Sequence, residues 1–208
     1  MKTILFQGDS ITDASRNRDC TIGFGPDMGS GYAILAAGKL LADNPGKKFR
    51  CINRGISGNR IVDLYARWKV DAINLKPDVL SILIGVNDTW HEFALQNGVE
   101  PERYETIYRM LLEWTRRELP EVRFVLCEPF CLLSELVTPE WIAEVKQRGE
   151  IVKKLASEFN AVFVPLQAVL EEAAEKAGDN LVILRDGVHP TLAGSQIIAN
   201  QWLKYVEL

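Results

Sequence analysis

Val79-Leu80-Ser81-Ile82-Leu83-Ile84 is apolar at every position but Ser81 and is closed by Gly85. Successive residues of a strand face opposite sides, so a strand that lines a single core alternates apolar and polar residues. A run without that alternation is read as a strand covered on both faces, which is the signature of a parallel sheet flanked by helices. Working outward, Thr3-Ile4-Leu5-Phe6, Lys48–Ile52, Arg123-Phe124-Val125-Leu126-Cys127 and Ala161-Val162-Phe163-Val164 read as four further strands. The segments between them have helical spacing. Tyr32, Leu35, Ala36, Leu40 and Leu41 fall on one stripe, and Tyr104, Ile107, Tyr108, Leu111 and Thr115 on a second. Trp141, Val145, Val152, Leu155, Ala156 and Phe159 form a third, with Thr138 as N-cap and Pro139 at the first helical position. Gln167–Lys176 is a shorter helix closed by Gly178, and Pro190–Tyr205 is a final helix with Pro190 at its first position. Alternating strands and helices predict an α/β fold with a mainly parallel sheet and helices on both faces.

In such sheets, ligands bind beyond the carboxyl ends of the strands. Four short segments stand at those ends: Gly8-Asp9-Ser10-Ile11-Thr12 after the first strand, Asn53-Arg54-Gly55-Ile56-Ser57-Gly58-Asn59 after the second, Gly85-Val86-Asn87-Asp88 after the third, and Asp186-Gly187-Val188-His189-Pro190 before the last helix. The irregular stretch Asp13–Gly31, rich in Gly and Asp, is long enough to be functional. A serine hydroxyl is a weak nucleophile and needs a base within hydrogen-bond reach. His189 can take the proton of Ser10 and return it to a leaving alcohol. Asp186, three residues earlier, can accept the imidazole N–H and fix its tautomer. Pro190 biases His189 toward extended backbone, which projects the ring out of the loop.

Each block also has a plainer reading. Ser10 can close a turn, Asp186-Gly187 can be a turn, His189 can be a helix N-terminal residue, Gly58 can be a turn glycine, and Asn87-Asp88 can be a helix N-cap pair. Asp9 reads as a structural residue that bonds local amides. His91-Glu92 begins like a zinc-protease motif, but Leu95 stands where the second histidine is required, so His91 reads as surface or substrate-lining. There is no Gly-x-Ser-x-Gly elbow and no phosphate-binding P-loop, and Gly23-Phe24-Gly25 does not continue into a dinucleotide fingerprint.

Taken together and in order, the four blocks resemble those of the SGNH (GDSL-type) hydrolases, and the resemblance spans positions 8 to 190. It implies a single domain over 1–208: a three-layer α/β/α fold with five parallel strands in flavodoxin-like order. It also implies a serine esterase that works without metal or organic cofactor. By the same resemblance, Ser10, Asp186 and His189 are the catalytic residues. The backbone N–H groups of Ser10 and Gly58 and the side-chain amide of Asn87 form the oxyanion hole. Gly8–Asp13, Gly55–Asn59, Ala66-Arg67-Trp68 and Gly85–Trp90 are similar to segments of intracellular bacterial acetylxylan esterases. That implies removal of acetyl groups from xylo-oligosaccharides, and it allows a homo-oligomer. Trp90 can stack on a sugar ring or serve as a packing residue; Trp68, at helical spacing, reads as core. The alternatives are a general short-chain esterase, lysophospholipase or thioesterase, and a non-catalytic carbohydrate-binding protein on the same fold. The last is opposed by the presence of all five residues that it would be expected to have lost in part.

Composition bounds the partners. The chain has 208 residues, 47% of them hydrophobic and 25% charged, with a formal net charge of -4. Mild acidity without a basic run gives no reason to expect nucleic acid or anionic membrane as partner, and the expected partner is a small-molecule or oligosaccharide ester. No apolar run approaches the roughly 20 residues that span a bilayer, and Met1–Phe6 reads as a strand rather than a secretory segment. Cys20, Cys51, Cys127 and Cys131 show no zinc-ligand pattern; free and mostly buried thiols suit a reducing cytoplasm. A secreted chain whose leader had been removed would read the same way.

Overall fold

The computed structural model describes residues 1–19 and 25–208. Five parallel strands, β1 (Lys2–Gly8), β2 (Phe49–Asn53), β3 (Val79–Leu83), β4 (Arg123–Cys127) and β5 (Val162–Val164), form one sheet in the order β2-β1-β3-β4-β5. This is the flavodoxin-like order. Register runs Ile4↔Cys51 and Ile4↔Val79 on either side of β1, then Leu80↔Phe124 and Leu126↔Phe163 outward.

The helices are α1 (Ser10–Asp13), α2 (Tyr32–Asp43), α3 (Ile61–Asp71), α4 (Val86–Leu95), α5 (Pro101–Glu118), α6 (Pro139–Glu158), α7 (Gln167–Ala177) and α8 (Leu192–Tyr205). The alternation of strand residues sorts them into two cores. Ile4, Phe6, Val79, Leu83, Val125 and Cys127 face α2, α7 and α8. Leu5, Leu80, Ile82, Phe124 and Leu126 face α3, α5 and the second half of α6. This is why the central strands carry almost no polar residue. Gln7 in β1 is one exception; another is Ser81 in β3, and both are fully buried. The Ser81 Oγ accepts the indole N–H of Trp202 at 3.0 Å and lies 3.7 Å from Cys127 Sγ. Thr115, likewise polar and buried, accepts the Trp68 indole N–H at 2.8 Å and donates to the Leu111 carbonyl. Trp68 is core, as its spacing predicts.

The predicted strands and helices are all present, with shifted ends. β1 runs on to Gly8, β2 begins and ends one residue later than read, and β3 stops at Leu83. Leu41, placed on the buried stripe of α2, is 37% exposed and lies in the last turn of the helix. Pro190 is not the first residue of α8. The Thr191 side chain accepts the Gly194 N–H and so caps the helix, while Pro190 pairs with Leu184 in an isolated antiparallel bridge. Asn87 and Asp88 do not cap α4 either: the helix starts at Val86, and both lie inside its first turn. Thr138 caps α6 and Gly178 closes α7 in left-handed conformation, as predicted. Cys20 and the Gly23-Phe24 pair lie outside the described residues; Cys51, Cys127 and Cys131 are free and buried. Among the described residues no helix is long and apolar enough to cross a membrane.

The Trp202–Ser81 bond ties α8 to the middle of the sheet. Ser81→Ala leaves the indole N–H buried without an acceptor, and the expected loss in unfolding free energy is about 1–3 kcal/mol by urea titration. Ser81→Ala and Trp202→Phe should be non-additive, the double variant losing less than the sum of the two single losses, because the orphaned donor is then gone.

Candidate active site

Because all strands run the same way, the loops after β1, β2 and β3 meet at one edge of the sheet, where β1 pairs with both neighbours. Asp9 is buried and accepts the Ile11 N–H through Oδ1 at 3.0 Å, capping α1 and placing Ser10 at its first position. The structural role expected of Asp9 is the one observed.

His189 reaches this edge from the other end of the chain. The Asp186 carboxylate accepts three N–H groups. Oδ1 takes the amides of Val188 at 2.9 Å and His189 at 2.7 Å, and Oδ2 lies 2.6 Å from His189 Nδ1. Gly187 makes this tight loop feasible. Its φ is 87°, and a Cβ there would sit 2.5 Å from the Leu132 carbonyl and 2.6 Å from Ser134 Oγ. With Nδ1 donating to Asp186, Nε2 is left as an acceptor, and it stands 2.8 Å from Ser10 Oγ across 179 residues of sequence. Burial pushes the Asp186 carboxyl up. The His189 amide and imidazole and the Val188 amide more than offset this, and the net shift is downward, so the group stays ionised.

A cavity of about 380 Å³ opens beside this pair, bordered by Ser10, Gly58, Asn87, Trp90, His91 and His189, among others. Gly58 adopts a φ of 81°, and a Cβ there would meet nothing within 4 Å, so its backbone is open to a bound molecule. One amide hydrogen of Asn87 goes to the Asn59 carbonyl at 3.1 Å, leaving the other uncommitted. The Trp90 ring lies 5.5 Å from that of Trp141 and 5.7 Å from that of His189. It therefore packs on the core and also borders the cavity. His91 lines the cavity too, and burial together with the nearby Arg60 lowers its pKa despite the opposing pull of Asp63.

Two residues that lie in the segments quoted above, but to which sequence reasoning gives no role, hold the loops in place. Asp13 Oδ2 accepts the Ser57 N–H at 3.0 Å and Arg18 Nη2 at 2.7 Å, fastening the Ser57-Gly58 turn to α1. Arg67 donates to the Gly8 and Arg54 carbonyls and to Asn59 Oδ1. Asp13 lies one helical turn past Ser10, which is the one local hint of its role; its partner is 44 residues away.

A family model described as the GDSL-like lipase/acylhydrolase family matches residues 6–197. The chain belongs to this family. As a GDSL-like acylhydrolase it is a carboxylic ester hydrolase. It is similar to an acetylxylan esterase of Geobacillus stearothermophilus, 37% identical over 98% of this chain and 93% of that protein. The crystal structure of an acetylxylan esterase from that organism superposes with a TM-score of 0.90 at 36% identity, covering all of this chain and 94% of the other. A GDSL-like protein of Parabacteroides merdae superposes at 0.93 with 40% identity, over 98% and 94% of the two chains.

Behind the site of this acylhydrolase two carboxyls are fully buried. Asp9 has one oxygen without a partner among the described residues, and Asp88 accepts the Ile61 N–H at 3.0 Å. Burial pushes both from 3.8 up to about 7. The unfolded chain releases these protons near pH 4 while the folded protein keeps them to about pH 7, so stability contributed by these groups falls as pH rises across that window. Asp88→Asn should shrink the drop in melting temperature between about pH 5 and pH 8, followed by circular dichroism. An unchanged drop would assign the dependence to other groups.

Proposed function

We propose that the chain is a serine esterase that removes acetyl groups from xylo-oligosaccharides through an acyl-enzyme on Ser10. The observation that carries this reading is the relay of Asp186 Oδ2, His189 and Ser10 Oγ at 2.6 and 2.8 Å. In the proposed reaction Ser10 Oγ attacks the ester carbonyl as its proton passes to His189 Nε2. The resulting imidazolium is stabilised by the Asp186 carboxylate. The negative charge on the tetrahedral oxygen is met by the N–H groups of Ser10 and Gly58 and by the free amide hydrogen of Asn87. Collapse breaks the bond to the sugar oxygen, which leaves with the proton from His189. Water then attacks the acetyl-serine, again giving its proton to His189, and acetate departs as the proton returns to Ser10 Oγ.

The sugar-acetyl assignment is supported by the likeness to acetylxylan esterase over nearly the whole chain. It is supported as well by Trp90, which borders the cavity and can stack on a pyranose ring. The buried free thiols are consistent with a cytoplasmic setting.

The decisive test is covalent. Phenylmethylsulfonyl fluoride should add to Ser10 alone, located by peptide mass spectrometry, with activity lost in proportion. An active preparation without that adduct overturns the assignment. In parallel, Asn87→Ala should lower kcat on acetylated xylo-oligosaccharides by about 10²–10³ with little change in KM, the signature of a donor used in the transition state. Clear preference for butyryl or longer esters over acetyl would favour a general esterase instead.

A further inference from the structure

A second cavity of about 360 Å³ shares Ser10, Ser57 and His189 with the first but has different walls. Among the described residues that border it are three arginines, Arg16, Arg18 and Arg185, against one acidic residue, Asp13. The Asp13 carboxylate is already committed to the Arg16 and Ser57 amides and to Arg18. Arg16 uses its Nε on the Gly55 carbonyl at 2.8 Å, and burial together with the nearby Arg54 and Arg18 lowers its pKa against the pull of Asp13. The Arg185 side chain is exposed and has no acceptor among the described residues. The cavity therefore holds an excess of positive charge beside the reacting pair. The chain as a whole is negative, at -4, so this excess runs against the molecular average. The first cavity differs in kind: Trp90, Ala94 and Leu95 give it an apolar wall and no arginine borders it.

We propose that Arg185 and Arg18 form an anion subsite that takes a carboxylate carried by the alcohol part of the ester, so that acetyl esters of acidic sugars are favoured over neutral ones. The proposal rests on the deacetylase reading. An acetyl group carries no charge, so a negative group drawn to the arginines belongs to the alcohol. A uronic acid substituent on an oligosaccharide is the chemical type. The guanidinium fork matches a carboxylate through two parallel N–H···O bonds, and an unpaired arginine at a cavity rim gives up little to make them. The subsite would also draw anionic substrate to a molecule whose overall charge repels it.

The test compares para-acetoxybenzoate with methyl para-acetoxybenzoate, which differ in the charge on the leaving alcohol. The ratio of their kcat/KM values is taken for the native protein, for Arg185→Gln, and for Arg103→Gln as a remote control; Arg103 lies on α5 paired with Glu100. Intrinsic reactivity differences cancel between proteins. Arg185→Gln should lower the charged-to-neutral ratio by about 5-fold, the size of one solvent-accessible ion pair, through KM of the charged ester. Added sodium chloride should lower the native ratio toward the variant's. An equal ratio in native and Arg185→Gln protein overturns the subsite, as does an equal drop in Arg103→Gln, which would assign the effect to overall charge. Acetylated xylobiose with and without a glucuronate branch separates the two readings. If neither is deacetylated while the aryl ratio moves, the sugar assignment fails and the anion subsite stands. If both are deacetylated at rates that Arg185→Gln leaves in the same proportion, the subsite fails and the deacetylase stands.

Discussion

Parallel pairing of β1 with both β2 and β3 is the constraint on which everything else depends. It forces three separate loops to emerge at one edge of the sheet, and it leaves a crevice where the connections diverge. Ser10 enters from one of these loops, Gly58 from the second and Asn87 from the third. The residues come from distant parts of the chain, but the sheet sets their spacing before any side chain interacts. On the proposed reading, a serine in a common tripeptide acquires chemical meaning first from that placement.

The sheet sets distances only coarsely, and hydrogen bonds refine them. Asp13 joins α1 to the Ser57-Gly58 turn, Arg67 joins the end of β1 to the loop after β2, and Asp186 holds both the amide and the ring of its own histidine. These contacts are charge-assisted and partly shielded from water, which makes them stronger than neutral bonds of the same length. They leave the imidazole little freedom to turn away. On the proposed reading, a base held in position needs no reorganisation at the moment of proton transfer.

Much of this was legible in the sequence, and the limits have physical causes. The unbroken apolar run of β3 announced a two-faced sheet because burial on both sides admits almost no polar residue. The one polar residue in it, Ser81, is satisfied by Trp202, 121 residues away, and no local pattern encodes that. The four motif blocks were readable because glycines, a histidine before proline and a serine after a strand each serve a backbone or chemical need at a fixed place. Asp13 and Arg67 were not, since an aspartate in a loop and an arginine on a helix have many ordinary uses. Their roles reside in partners that only the fold supplies. The start of α8 was misread for a related reason: Pro190 and Thr191 are both good helix openers, and the pairing of Pro190 with Leu184 decided between them.

The tie between Trp202 and Ser81 has a consequence for the life of the molecule. The loop that carries His189 runs directly into α8, and α8 is seated by that buried indole. Ser10 leaves the ribosome early, whereas His189, its base in the proposed reaction, arrives only just ahead of the final helix. A nascent or partly unravelled chain can then hold most of its sheet and still lack a competent site. On the proposed reading, hydrolysis itself becomes a marker of completed folding: the chain acquires its chemistry only when its last helix docks.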